Sequence, residues 1–526
     1  MAGGGLAGPG TALAADCEAW TQTLPANPAG AGGLNALNGV AVVSACDVWV
    51  AGYFWPAGGG SQRTLIERWT GGPNWTVVPS PSPGQYPDGS SGSNYLQAVA
   101  AVSATDVWAV GYYSDGPETR GLVLHWDGGN WTQVAVPDSS NVLSGISAIS
   151  DRDIWVAGND HASQALILHY DGTGWTTYSP GVGAEGAHVS LKGMTATSAS
   201  DVWVVGSYEA RFSLFDNPLT LHWDGSRWSQ VPSPALTPPD DPYGTTLTSV
   251  SATSPADAWT VGTAGAPAHT AILHWDGNRW TPAPSPDPGG DRGSRLAGVA
   301  AVSPDSAFAV GRYDTLNGSR TELHNLVLQW DGHRWAEIPS PQPGTVENFL
   351  NGVAAGPAGI LWTAGIWSDE DSANYRAAAA EFGVVPNVIG DSRAAAVDAM
   401  NGAGLGIEIN DVTTPGNGCT ASTNGTVIAT SPAAGTFTGP PVTMTFCRLP
   451  VTVPNVYSYD DGSARAAITD ARLVVGSVTK TPNCTLPRGD VVTQGPAGGT
   501  MVTLGSSVNL VESTGKQANG KPCIIE

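Results

Sequence analysis

Apolar and polar residues alternate through Leu122-Val-Leu-His-Trp126, the run breaks at Asp127-Gly128, and alternation resumes at Trp131-Thr-Gln-Val134. A period of two on either side of an Asp-Gly step predicts two antiparallel strands joined by a tight turn, because both residues tolerate the positive φ such turns require. The same hairpin pattern recurs at Trp69–Trp75, Tyr170–Trp175, Trp223–Trp228, Trp275–Trp280 and Trp330–Trp335.

Upstream of each hairpin lies a second unit, as in Val99-Ala-Ala-Val-Ser103-Ala-Thr-Asp106-Val-Trp108-Ala-Val-Gly111, which predicts two further strands. It recurs at Asp47-Val-Trp49, Asp153-Ile-Trp155, Asp201-Val-Trp203 and Asp257-Ala-Trp259, with weaker copies at Ala307-Phe308 and Leu361-Trp362, spaced 47 to 59 residues apart. Four strands per repeat at this period is the pattern of a propeller blade. The seventh repeat stops at Ala379-Ala-Glu-Phe382 without its fourth strand, whereas Trp20-Thr-Gln-Thr-Leu-Pro25 aligns with an isolated fourth strand. The expected fold is therefore an all-β seven-bladed propeller over residues 16–383, closed by its N-terminal strand so that no edge is left open.

Composition narrows the class. The chain has 526 residues, with 45 acidic against 22 basic side chains and a net charge of −23, which argues against nucleic acid or anionic lipid as partner. No apolar run is long enough to span a bilayer as a helix. Residues 1–15 read as a flexible tail or a signal-peptide remnant, Ala12-Leu13-Ala14 having the small-residue spacing of a cleavage site. The six cysteines fall into local pairs, Cys17 with Cys46, Cys419 with Cys447 and Cys484 with Cys523, and none has Cys-x-x-Cys spacing. Disulfides are expected, hence a secreted or cell-wall-associated protein. It is read as a monomer.

The pattern changes at Val384. Val385-Pro-Asn-Val388 leads into an Ala-rich helical stretch with Ala396, Val397, Met400 and Ala403 on one face, then strands around Gly425–Thr436 and Val442–Phe446. The order repeats from Val453-Pro-Asn-Val456, through Ala464, Ala467, Ile468 and Ala471, to the Pro496-Ala-Gly-Gly-Thr500 turn and Val508-Asn-Leu510. On these motifs residues 385 to about 513 resemble two tandem PASTA domains, with boundaries at 384–449 and 450–513 and a tail from 514 to 526. The resemblance implies small α+β modules associated with peptidoglycan, or acting as spacers. The internal cysteine pair in each unit departs from the family pattern and suggests stapling of a minimal core.

Candidate chemistry is sparse. His125, His169, His222 and His274 share one register, one per repeat, so they cannot converge on a metal, and the Asp-Gly aspartates are turn residues. Ser477-Val-Thr-Lys480 matches a penicillin-binding Ser-x-x-Lys motif, but in a strand-like run. No cofactor or catalytic residue is expected. The connections between second and third strands, and between blades, vary in length on one face, where binding sites are commonly grafted. Eighteen of the 20 tryptophans fall in repeated registers; Trp55 and Trp367 remain, both just past a second strand. With Tyr53, Phe54, Tyr112, Tyr113, Asp369, Glu370, Asp371 and Tyr375 they form the expected ligand site, aromatic faces beside carboxylates suiting a sugar. The alternative is that these rings only cover the closure. The expected function is an exported, non-catalytic binder of a glycan or protein ligand. The alternatives are a glycan-processing enzyme, a hydrolase or lyase needing two carboxyls at the channel mouth, and a structural adhesin.

Overall fold

The computed structural model describes residues 25–523 apart from 31–32, 72–73, 87, 138–139, 183–186, 211–215, 238–242, 357–359, 370–374, 403–406, 417, 433–436 and 439–441. It divides into two compact units, one built on the Trp repeats and one on the C-terminal modules.

In the first unit every repeat is an antiparallel meander. Five form separate four-stranded sheets, the first made of Leu34–Ser44, Asp47–Trp55, Arg63–Trp69 and Thr76–Val77. The sixth repeat, from Ser294 to Glu337, pairs in the same order, and the last contributes Glu347–Ala355, Leu361–Ser368 and Arg376–Val384. A single parallel bridge, Leu323 to Glu347, joins these two. Each innermost strand packs against the next along the chain, and Glu347–Ala355 packs back against Leu34–Ser44. The result is a propeller-like fold, closed on itself.

Tryptophan holds the sheets together. Each second-strand ring lies against the hairpin of the following repeat: Trp49 meets Trp126 at 5.3 Å and Trp131 at 5.6 Å, and Trp203 meets Trp275 at 4.9 Å and Trp280 at 5.2 Å. The last repeat repeats this contact with the first, Trp362 lying 5.1 Å from Trp69 and 5.8 Å from Trp75. Such pairs add about 0.5–1.5 kcal/mol each beyond the area they bury. The shared apolar cores follow the same rule, with Leu37, Val50 and Leu65 of the first repeat joining Ile360, Ala364 and Ala377 of the last.

The Asp-Gly turns form as the sequence requires. Asp127 Oδ1 accepts from the backbone N–H groups of Gly129 and Asn130 at 2.8 Å, and Gly128 has φ +93°. These bonds hold the Asp127 carboxyl below its usual range. The closing strand Trp20–Leu24 lies outside the described residues, and so does Cys17. Cys46 is disulfide-bonded, and no described cysteine is free. Immediately after the expected strand, the Ala26 N–H donates to Glu67 Oε2 at 2.7 Å and Asn27 Oδ1 accepts from Ala377 N in the last repeat at 2.9 Å.

The second unit contains two modules of one topology. Helix Arg393–Gly402 precedes Ile407–Val412, which runs parallel to Val442–Cys447, while Val427–Ser431 runs antiparallel to it. Helix Asp461–Asp470 precedes Val474–Thr481, parallel to Ser507–Ser513, with Val491–Gly495 antiparallel. Ala396 and Met400 are buried, as are Ala464 and Ile468, and both Val-Pro-Asn-Val openings bury their valines. Asp460 caps the second helix, accepting from Ser463 N. Disulfides Cys419–Cys447 and Cys484–Cys523 staple the modules.

Candidate functional site: the channel and its mouth

A bulge sets the geometry of the channel. In every innermost strand the pairing slips by one residue, at Leu37/Gly39, Leu96/Ala98, Leu191/Gly193, Leu247/Ser249, Leu296/Gly298 and Leu350/Gly352, and Ser144 is the extra residue in the third repeat. Opposite each bulge stands the glycine that ends the repeated second-strand motif. A Cβ on Gly52 or Gly111 would lie 1.9 Å from the carbonyl oxygen of Ala36 or Tyr95, so no other residue fits. The bulged residue is left without a ladder partner and is re-aimed. It is Asn38, Gln97, Ser144, Lys192, Thr248, Ala297 or Asn351, in chain order.

Four of these residues bond the carbonyl of the leucine that precedes the next repeat's bulge. Asn38 Nδ2 donates to Leu96 O at 2.8 Å, Ser144 Oγ to Leu191 O at 2.6 Å, Thr248 Oγ1 to Leu296 O at 2.9 Å and Asn351 Nδ2 to Leu37 O at 2.9 Å. The last of these ties the final repeat to the first. The belt encloses a cavity of about 480 Å³, whose lining holds no Asp, Glu or His and one charged side chain, Lys192.

Tyr112 lines the same cavity and carries an aromatic stack outward. Its ring lies 4.9 Å from Tyr95 at 28°, and Tyr95 meets Tyr53 edge-on at 4.8 Å. Burial, with the neighbouring Tyr95, pushes the Tyr53 and Tyr112 phenols up, so all chemistry here is that of neutral hydroxyls and ring faces. The equivalent position between the last two repeats holds Arg312, its guanidinium 4.4 Å above the Phe349 ring. Burial and the neighbouring Arg295 lower the Arg312 pKa. Arg295 pairs with Asp314 at 3.5 Å.

The sequence-predicted site is divided by this geometry. Trp367 stands two residues beyond its bulge glycine, Gly365, whereas Trp55 stands three beyond Gly52, so the two rings face opposite sides of their sheets. Trp55 is 45% exposed and its indole N–H donates to Gly60 O at 2.8 Å. Trp367 is only 5% exposed, with the Arg376 guanidinium 4.7 Å over its ring, which corrects the expectation of two exposed rings. Phe54 and Tyr113 share the Trp367 register and pack against the inter-repeat cores. Phe54 also borders a groove of about 400 Å³ under the 79–94 connection. Asp369 accepts from Thr345 N at 3.1 Å, and Tyr375, half-buried, lies 6.4 Å from Phe349. Glu370 and Asp371 lie outside the described residues. Tyr53 and Tyr112 come together through Tyr95, which sequence reading missed. Its signal was the alternation Asn94-Tyr95-Leu96 leading into the bulge.

The in-register histidines are structural. Each Nε2 donates to the aspartate that opens the second strand, His125 to Asp106 at 2.8 Å and His222 to Asp201 at 2.7 Å, while the ring stacks on that strand's tryptophan. Arg68 replaces histidine in the first repeat, bonding Asp47 and covering Trp49. Among the described residues no group of three His, Cys, Asp or Glu is placed to hold a metal.

The PASTA domain family model matches residues 383–440 and 451–514, so the C-terminal part consists of two tandem PASTA domains behind an all-β repeat region. Comparison with curated protein sequences gives no match. Among solved structures, the chain is similar to an ulvan lyase from a polysaccharide lyase family, at 11% identity and TM-score 0.43, over 68% of this chain and 94% of that one. It is also similar to the Aleuria aurantia lectin in complex with Fucα1-6GlcNAc, at 16% identity and TM-score 0.36, over 59% and 96%. The extracellular region of the Ser/Thr kinase PrkC from Staphylococcus aureus aligns at 22% identity and TM-score 0.15, over 26% of this chain and 49% of that one.

Proposed function

We propose that the protein is an exported, non-catalytic binder whose seven-bladed propeller, spanning 16–383, takes a glycan at the channel mouth while the PASTA pair, 384–449 and 450–513, associates with peptidoglycan. The observation that carries the reading is the lining of the channel. Half-buried tyrosine faces adjoin a belt of amide and hydroxyl groups, which suits the apolar faces and hydroxyls of a sugar. The cyclic contacts of the innermost strands and the Trp362 contact with Trp69 support seven blades; that Trp20–Leu24 supplies the fourth strand of the last rests on the sequence pattern alone. A glycoside hydrolase would need a carboxylic acid and a carboxylate base or nucleophile flanking one bond, and the described lining of the cavity offers neither. Two disulfides and a further bonded cysteine fit an oxidising, extracellular setting.

The test is co-sedimentation with purified bacterial cell wall, comparing the full chain with residues 16–383 and residues 384–526. The proposal expects both fragments to be retained more weakly than the full chain, because two linked sites reinforce one another. Equal retention of 16–383 and the full chain would remove the PASTA pair from the binding role.

A further inference from the structure

We infer that Lys192 is an anion anchor in the central channel and that the glycan bound there carries a carboxylate, as a uronic or muramic acid does. The inference rests on the channel being the ligand site and adds the class of ligand. Of the chain's four lysines, 192, 480, 516 and 521, only Lys192 falls within residues 1–384. It stands at the bulge, the position from which Asn38, Ser144, Thr248 and Asn351 cap a neighbouring carbonyl. Lys192 makes no hydrogen bond or ion pair among the described residues, and its side chain is exposed to the cavity it lines. No carboxylate lines that cavity to neutralise it.

A chain of net charge −23 has strong general reasons to repel anions, so one unpaired ammonium inside its channel is a local inversion of sign. Other donors line the same cavity: Gln97 and Asn38 present amides and Tyr112 a hydroxyl that stays protonated. An ammonium in a cavity otherwise lined by amide and hydroxyl groups fits a carboxylate, and the tyrosine face on the same lining fits the apolar side of a sugar. A charge-assisted bond of this kind corresponds to roughly ten- to hundredfold in affinity.

The lysine count makes the experiment direct. Reductive ¹³C-methylation of the full chain labels four side chains, and a Lys192→Arg variant assigns the Lys192 signal. N-acetylmuramic acid and glucuronic acid are then titrated beside uncharged N-acetylglucosamine and glucose. The inference expects the acids to move the Lys192 signal, their affinity to fall at least tenfold in unlabelled Lys192→Gln, and added salt to weaken them. Neutral sugars that bind parent and variant equally, with the acids gaining nothing from Lys192, would overturn the anchor while leaving the glycan site intact. No response of the Lys192 signal to either acid, and no binding of either by the unlabelled parent, overturns the anchor as well. If the neutral sugars also fail to bind, the glycan reading falls with it.

Discussion

Glu67 is a carboxyl in the wrong company. It is fully buried, on the third strand of the first repeat between Val50 and Val77, and the same register holds Leu124, Leu168, Leu221, Leu273 and Leu328 in the next five repeats. Leu65 and Trp69, on the same face, belong to the core shared with the last repeat. Burial pushes the Glu67 pKa from 4.5 up to about 8, offset only by the bond from Ala26 N. The unfolded chain ionises this group near pH 4.5, whereas the folded protein holds the proton until about pH 8. Its contribution is therefore fully present below pH 4.5 and is lost as pH rises, at about 1.4 kcal/mol per pH unit, for a total of about 5 kcal/mol. Glu67→Leu should match the parent's thermal stability at pH 5, less roughly 1 kcal/mol for the lost Ala26 bond. At pH 8.5 it should exceed the parent. Calorimetric melting of both proteins from pH 4.5 to 9 checks this. Parallel pH profiles for the parent and Glu67→Leu would refute the reasoning, because the slope must leave with the carboxyl.

Burial raises the Asp201 pKa, but hydrogen bonds from His222 and Thr197 outweigh it and hold the group below its usual value. Its stabilisation is thus present above about pH 4 and lost as pH falls through the lowered value. Asp201→Asn should cost about 1–3 kcal/mol at pH 7 and narrow the gap in melting temperature between pH 7 and pH 3. Trp367→Ala should cost about 3–5 kcal/mol, because its buried ring leaves a cavity, whereas Trp55→Ala should leave the melting temperature nearly unchanged. Denaturant unfolding of the two variants side by side separates these roles.

Much of the fold is legible in the chain because its devices recur. Trp108, Asp106, His125 and the Asp127-Gly128 turn each do one job, and repetition exposes the job even where Phe308 or Arg68 substitutes for the usual residue. The pairing of Cys419 with Cys447 and Cys484 with Cys523 was legible for a different reason, since each pair is close in sequence, the second joining its module to the tail that follows it. The site was harder. Trp55 and Trp367 look equivalent in a linear count, but one residue of difference from the bulge glycine puts them on opposite sheet faces, and one becomes core. Tyr95 and Lys192 lie in the innermost strands, where the sequence reads as scaffold. Only the bulge aims Lys192 at the channel, and Tyr95 is found only through its stack on Tyr112; a single extra residue in a strand leaves no clear mark in an alternating pattern.

The most direct test of the account is to fill the channel. Ala297 occupies a bulge position lining the cavity of about 480 Å³, and its methyl side chain has no polar atom with which to tie the neighbouring repeat. Ala297→Trp therefore adds bulk where a ligand would sit without removing a belt hydrogen bond. Binding of cell-wall glycan fragments is measured by titration calorimetry on the full chain, with circular dichroism and melting to verify the fold. The account predicts a folded variant whose affinity drops at least tenfold. A folded variant that binds as tightly as the parent would contradict it, and would move the ligand site off the channel altogether.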